Sequence, residues 1–391
     1  MDELPPEVKQ QLEEQKKNCP FCKIISGEIP SKKVYEDSLL SAILDINPCT
    51  KGHVLLMPQE HYPIMPLIPP QTFKHMFGYL PSLIKALKDA TLTTGANAVI
   101  ANGGVAGQQS PHFMVHLIPR EKGDQLEKFN FIGKKLDDGE VQQTYQMLAQ
   151  NLPIMMKNHF SKNPPQWKNS NEGHQKEHLK EIPSLWKIYE DEKTIAVLPK
   201  ESLSPGHIKI YSKDEKTDIE NIDFETASHL FYVASFSATA VFEGLKAHGS
   251  NIILKTGISD DNPDGTLQIH VLPRYENDGL DLMNKPMEKK PDMDDISSKI
   301  KEQMFYVEHK AKGLDKKPNK IQINLDEENK KTKIYGDIDN NNKNNINNNN
   351  NSDNDNNNNK TGNNIDDNKN TKRNEENHLE EIRQAIQRLK K

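Results

Sequence analysis

Up to about residue 283, short apolar runs alternate with one longer stretch in each half of the chain. Residues 41–44, 53–57 and 113–118 carry apolar side chains at every second position or continuously, the pattern of half-buried and buried strands. Residues 70–93 carry them three and four apart, which predicts a helix, and residues 224–247 repeat that spacing. Strands, a helix and further strands predict an α+β domain of mostly antiparallel sheet.

The order of elements recurs because the sequence recurs. With Val34-Tyr35-Glu36-Asp37 laid over Ile188-Tyr189-Glu190-Asp191, a shift of about 154 positions, Leu44 falls on Leu198 and Gly52-His53 on Gly206-His207. The register continues without a gap through His75 on His229, Phe77 on Phe231, Gly95 on Gly249 and Asn97 on Asn251. It ends with His116, Pro119 and Arg120 on His270, Pro273 and Arg274. The chain therefore holds two copies of one domain, expected at 18–150 and 168–283 after an N-terminal helix at 1–17. Each copy is expected to have about five strands and one main helix, the two packing as an intramolecular pseudo-dimer.

Beyond them the pattern collapses. A partly helical connector is expected at 284–320, and 321–373 is expected to be disordered. Roughly three residues in five between 340 and 370 are asparagine, leaving little to offset the entropy of ordering a backbone. Leu379, Ile382, Ile386 and Leu389 return to helical spacing, so 374–391 reads as an amphipathic helix that a protein partner could dock.

Composition changes the picture only when divided this way. The 391 residues are 34% hydrophobic and 28% charged, and the mean hydropathy of −0.83 averages a core-forming portion with a polar tail. No apolar run approaches the roughly 18 residues of a membrane span, and the first residues lack a basic, apolar secretory start. A cytoplasmic protein with no membrane association is expected. The net charge of −6 gives no general nucleic-acid footprint. Three cysteines make no disulfide framework, and Cys19-x-x-Cys22 points to metal or redox chemistry.

The densest chemistry is Gly107-Gln108-Gln109-Ser110-Pro111-His112-Phe113-Met114-Val115-His116-Leu117-Ile118-Pro119-Arg120. At the strand period of two, His112, Met114 and His116 share one face, and Phe113, Val115 and Leu117 the other. This segment resembles the His-φ-His-φ-His-φ-φ signature of the histidine triad (HIT) superfamily, φ being apolar. The stretch from Cys19 to Ser31, Leu44-Asp45-Ile46-Asn47-Pro48 and Lys51-Gly52-His53 resemble, in order, the zinc-containing prokaryotic branch.

The resemblance implies a nucleotide hydrolase or nucleotidyl transferase in which the middle histidine attacks the α-phosphorus. Here that position is Met114, whose thioether is a poor nucleophile and cannot move a proton. Whether the chain is an enzyme is therefore left open, and no catalytic residue is assigned at His112, Met114 or His116. The resemblance further implies that Asp45, His53, Asn102, Gln108 and His116 surround a purine nucleotide or similar ligand. It also implies that Cys19, Cys22, His61 and His112 hold one structural zinc. The second copy reads Thr266, Gln268 and His270 in its row, has Pro199 in place of Asp45, and places Gly173, Lys176, Glu215 and Thr266 at the zinc positions. No transfer and no zinc are expected there. Three functions stay in play: a nucleotide-binding protein impaired in transfer, an active hydrolase or transferase, and a non-catalytic interaction scaffold.

Overall fold

The computed structural model describes residues 6–165, 186–213, 218–282, 285–289 and 291–311. The expected Asn-rich segment and C-terminal helix lie outside the described residues, as do Gly173, Lys176 and Glu215. The first repeat runs α1 (Pro6–Asn18), α2 (Pro20–Ser26), β1 (Lys33–Glu36), β2 (Leu40–Leu44), β3 (Val54–Pro58), α3 (Pro70–Thr91), β4 (Gly95–Asn102) and β5 (Val115–Arg120). An extension follows, with β6 (Lys134–Lys135) and α4 (Asp138–Lys162). The second repeat runs β7 (Lys187–Glu190), β8 (Thr194–Val197), β9 (Glu201–Ser202), β10 (Ile208–Ser212), α5 (Phe224–Gly244), β11 (Gly249–Gly257) and β12 (Gln268–Arg274), and α6 (Met293–Ala311) comes after it.

Ten strands form one sheet in the order β1-β2-β3-β5-β4-β11-β12-β10-β8-β7, and all of its neighbours pair antiparallel. Each repeat thus supplies five strands, and β4 against β11 joins them. Across that seam Val99 lies opposite Ile253, its own counterpart in the repeat register. In the helix layer Phe77 stacks on Phe231, again its counterpart, with centroids 4.2 Å apart. Both contacts mark a pseudo-two-fold axis through the sheet and through the α3–α5 contact. There the helices come so close that a Cβ on Gly78 would lie 2.4 Å from the Phe224 ring.

Alternation sorts the strand residues between two faces. Val54, Leu56, Ala98, Ile100, Val115, Leu117, Ile252 and Leu254 join the main core beneath α3 and α5. On the other face Val99, Ile118, Ile253 and Leu272 form a central patch with Cys49, Phe129 and Leu282. Ile43, Leu55 and Met57 form a flank covered by Phe21, Ile24 and Ile25 of α2.

The segments after the repeats cross over. α4, capped by Asp137 accepting from the Gly139 and Glu140 N–H groups, packs on α5 and β7 of the second repeat. β6 pairs with β9. In return α6 packs on α3 and β1 of the first repeat, burying Ile296, Ile300 and Met304. The Met287 N–H donates to the Pro48 carbonyl at 2.8 Å. Residue 150, the expected end of the first copy, lies within α4.

Candidate functional site

Cys19 precedes α2 and Cys22 sits in its first turn, His61 follows β3, and His112 precedes β5. The strand expected at 113–118 begins at Val115, so His112 and Met114 lie on the extended approach to it. Alternation nevertheless persists, with Phe113, Val115 and Leu117 in the main core and Met114 and His116 on the opposite face.

The Sγ atoms of Cys19 and Cys22 and one nitrogen each of His61 and His112 lie within 4.8 Å of one another. Cys19 Sγ is 3.7 Å from His112 Nδ1, and Cys22 Sγ is 3.3 Å from His61 Nδ1 and 3.5 Å from His112 Nδ1. Tetrahedral zinc bonded to sulfur at about 2.3 Å and nitrogen at about 2.0–2.1 Å places such pairs about 3.5 Å apart. The donor set fits that ion. His112 Nε2–H donates to the Pro58 carbonyl at 3.0 Å, which turns the Nδ1 lone pair toward the thiols. Burial and the neighbouring Cys19 push the Cys22 thiol up to about 12, a cost that a bound cation offsets by stabilising thiolate.

A second constellation lies near by. Gly52 (φ +84°), where a Cβ would come within 2.5 Å of Thr91, makes the turn that delivers His53 to β3, and Gly206 (φ +80°) does the same for His207. His53 Nε2 and His116 Nδ1 share a hydrogen bond of 3.1 Å. At the other edge of His53, Nδ1 lies 3.4 Å from Asp45 Oδ2 and accepts the Cys49 N–H at 3.4 Å. Burial, then His116, hold His53 well below the usual imidazole range; burial lowers His116 too, opposed by Asp45. Both rings are neutral at pH 7. Asp45, His53 and His116 also offer donor atoms within 4.8 Å of one another. The carboxylate lies at one edge of His53 and His116 at the other.

The remaining sequence-selected residues hold the pocket's loops. Gln108 Oε1 accepts the Gly103 N–H at 2.7 Å, and its Nε2 donates to Pro63 and Ser110 carbonyls at 2.6 and 2.9 Å. Both amide hydrogens are thereby used by backbone carbonyls, one in the same loop and one in the segment after β3. Asn102 accepts from the Met65 N–H at 3.2 Å and donates to Ser250 Oγ at 3.3 Å. Met114 joins Ile43, Leu55 and Met57 beneath α2.

In the second repeat His207 Nε2 and His270 Nδ1 keep the pairing at 3.0 Å. No carboxylate stands at Pro199, and His270 Nε2 is buried without a partner among the described residues. The ring of Phe131, from the first repeat's extension, sits edge-on to His270 with centroids 4.9 Å apart. Sequence reasoning missed Phe131, Pro58 and the Cys49 N–H. Extending the register past Leu126 and Leu280 pairs Phe131 with the exposed Lys285, a signal that was available.

The HIT domain family matches residues 26–123 and 180–277. The chain belongs to the HIT family. An adenylylsulfatase of Arabidopsis thaliana is 41% identical over 109 residues, 28% of this chain and 55% of that protein. The chain thus spans about half the length of that HIT relative. An uncharacterised HIT-like protein of Methanocaldococcus jannaschii is 43% identical over 124 residues, 32% of this chain and 95% of its own. Among solved structures, a zinc-bound histidine triad family protein from Mycobacterium smegmatis shares 34% identity over 28% of this chain and 80% of its own, with a TM-score of 0.27. No helix among the described residues is long and apolar enough to cross a membrane.

Proposed function

We propose that the first repeat binds a purine nucleotide and does not form the covalent nucleotidyl–histidine intermediate of its family. One observation carries the reading. His53 and His116 share a hydrogen bond with Asp45 3.4 Å from His53, while the position of the attacking imidazole is held by Met114, packed in an apolar cluster. A thioether in that setting neither attacks phosphorus nor accepts a proton, so the double displacement has no first step. Asp45 is partly exposed and keeps acceptor capacity for ribose hydroxyls. Asn102 and Gln108 shape the loop beside the phosphates.

Cys19, Cys22, His61 and His112 hold one zinc per chain in this reading. Four protein donors close a tetrahedral site, so the metal is structural and fixes α2 over the pocket's apolar wall. Titration calorimetry of the full chain with AMP and GMP tests the binding. Micromolar affinity, lost in Asp45→Ala, is expected; millimolar or absent affinity for both nucleotides overturns the proposal.

A second reading, an active hydrolase, is favoured by the adenylylsulfatase activity of the Arabidopsis relative and by the retained His53–His116 pair.

A further inference from the structure

The two histidine pairs of this chain are an internal comparison of charge. His53–His116 and His207–His270 have nearly the same separation, 3.1 and 3.0 Å. Around the first pair stand Asp45 and the apolar Leu55; the same register positions in the second repeat hold Pro199 and Lys209. Beside one retained pair an acid is missing and a cation is added.

One backbone contact fixes the protons of the second pair. The Leu203 N–H donates to His207 Nδ1 at 3.4 Å, so the His207 proton sits on Nε2 and is donated to His270 Nδ1. His270 therefore carries its own proton on Nε2. His270 is only 2% exposed, and this Nε2–H has no hydrogen-bond partner among the described residues. A buried donor left unpaired costs free energy that an acceptor brought by a ligand recovers. Lys209 stands directly across from His270 in the β10–β12 ladder, so the two side chains leave the same face of the sheet side by side. Lys209 is partly exposed; the charge of Asp264 reaches it, but no carboxylate among the described residues pairs with it. Lys255, the other cation near by, is already occupied: it donates to the Phe129 and Asp261 carbonyls at 2.6 and 3.1 Å and pairs with Asp261 Oδ2 at 3.2 Å.

We infer that this face of the second repeat binds an aryl carboxylate, with Lys209 Nζ and His270 Nε2–H each donating to one carboxylate oxygen. The charge selects the class. One unpaired ammonium beside a neutral N–H donor matches a monoanion, whereas a phosphate dianion meets a single free cation and the field of Asp264. The flanking rings select the body of the ligand. Tyr211, two residues along β10 and on the same face as Lys209, is partly exposed, and so is Phe131, whose ring centroid lies 4.9 Å from that of His270. Flat aromatic groups pack well against such rings. Pro199 offers no acceptor side chain to a sugar hydroxyl, so a nucleoside gains little here. The first repeat, with Leu55 opposite His116, lacks the cation and does not form this site.

The full chain is titrated calorimetrically with benzoate, acetate and inorganic phosphate, each with and without excess AMP. Benzoate is expected to bind with a Kd of about 1 mM or tighter, unchanged by AMP, and acetate and phosphate at least about tenfold more weakly. Lys209→Leu installs the side chain that the first repeat carries at this position, and is expected to weaken benzoate at least about tenfold without lowering the urea midpoint. A second measurement needs no loss of function. The ¹H–¹⁵N signal of His270 Nε2–H, assigned by its disappearance in His270→Gln, is expected to move downfield as benzoate is added and to stay in place in Lys209→Leu. Absence of benzoate binding, its displacement by AMP, phosphate binding as tight as benzoate, an unchanged affinity in Lys209→Leu or an unmoved His270 signal overturns the inference.

Discussion

His112 stands between Pro58, whose carbonyl accepts its Nε2–H at 3.0 Å, and Cys22, whose sulfur lies 3.5 Å from its Nδ1. The first contact chooses the tautomer and the second uses it. The full chain is accordingly expected to contain one zinc by elemental analysis, removable by a strong chelator. Cys22→Ser should lower metal content to near zero and reduce Tm by about 5 °C or more, the shift produced by roughly 2 kcal/mol in a domain of this size. Metal occupancy should fall as pH falls, since the ligands must give up protons to bind.

Replacing Met114 by histidine returns a nucleophile to the row. Met114→His is expected to cleave adenosine 5′-phosphoramidate, to accumulate a nucleotidyl-protein detectable by mass spectrometry, and to retain configuration at phosphorus. An unchanged phosphoramidate rate would mean that the wall formed by Ile43, Leu55 and α2 keeps the new ring from the phosphate.

Asp261, from the second repeat, is fully buried against Arg120 Nη1 of the first at 2.8 Å and Lys255 Nζ at 3.2 Å, and it accepts from Asn97 Nδ2 at 3.1 Å. Asp261→Asn leaves the buried Lys255 ammonium without its carboxylate, while Arg120 keeps Asp124. A loss of about 3–5 kcal/mol is expected from urea denaturation, the range for breaking one side of a buried pair. Unfolding should stay a single transition, because the network spans the seam between the repeats.

Burial holds His207 at about 3, with His270 and the Lys209 and Lys255 ammonium groups facing it. From the ordinary value of 6.5 down to about 3, the unfolded chain binds a proton that the folded chain refuses. Stability should therefore decline as pH falls through that window, by about 1.4 kcal/mol per unit for this group. Urea midpoints at pH 7.5 and 5 check it. His159, held at about 4 by burial and seated against Tyr232 and Phe236, adds to the decline. His159→Phe should flatten it while keeping a ring in place.

The two repeats, the sheet and the face of His116 could all be read from the chain, because a period of two and an unbroken register are geometric facts about a strand. What stayed hidden was pairwise. Nothing in the spacing of α4 says that it leaves its own sheet for β7 and α5. Gln108 carries the right amide for a phosphate, yet short contacts to Gly103, Ser110 and, across to the segment after β3, Pro63 use it first. Phe131 is an ordinary aromatic until β6 pairs with β9 and brings its segment across to His270.

The exchange of α4 and α6 between repeats has a consequence for inheritance. In a symmetric homodimer every substitution is made twice, so neither half can lose a function alone. Here the halves are covalently joined and each covers the other, so a substitution is made once. Pro199 could replace an acid in one half while Asp45 stayed in the other, and Lys209 could stand where Leu55 lines the first pocket. Symmetry is kept at the seam, where Val99 meets Ile253 and Phe77 meets Phe231, and is given up at the two outer faces.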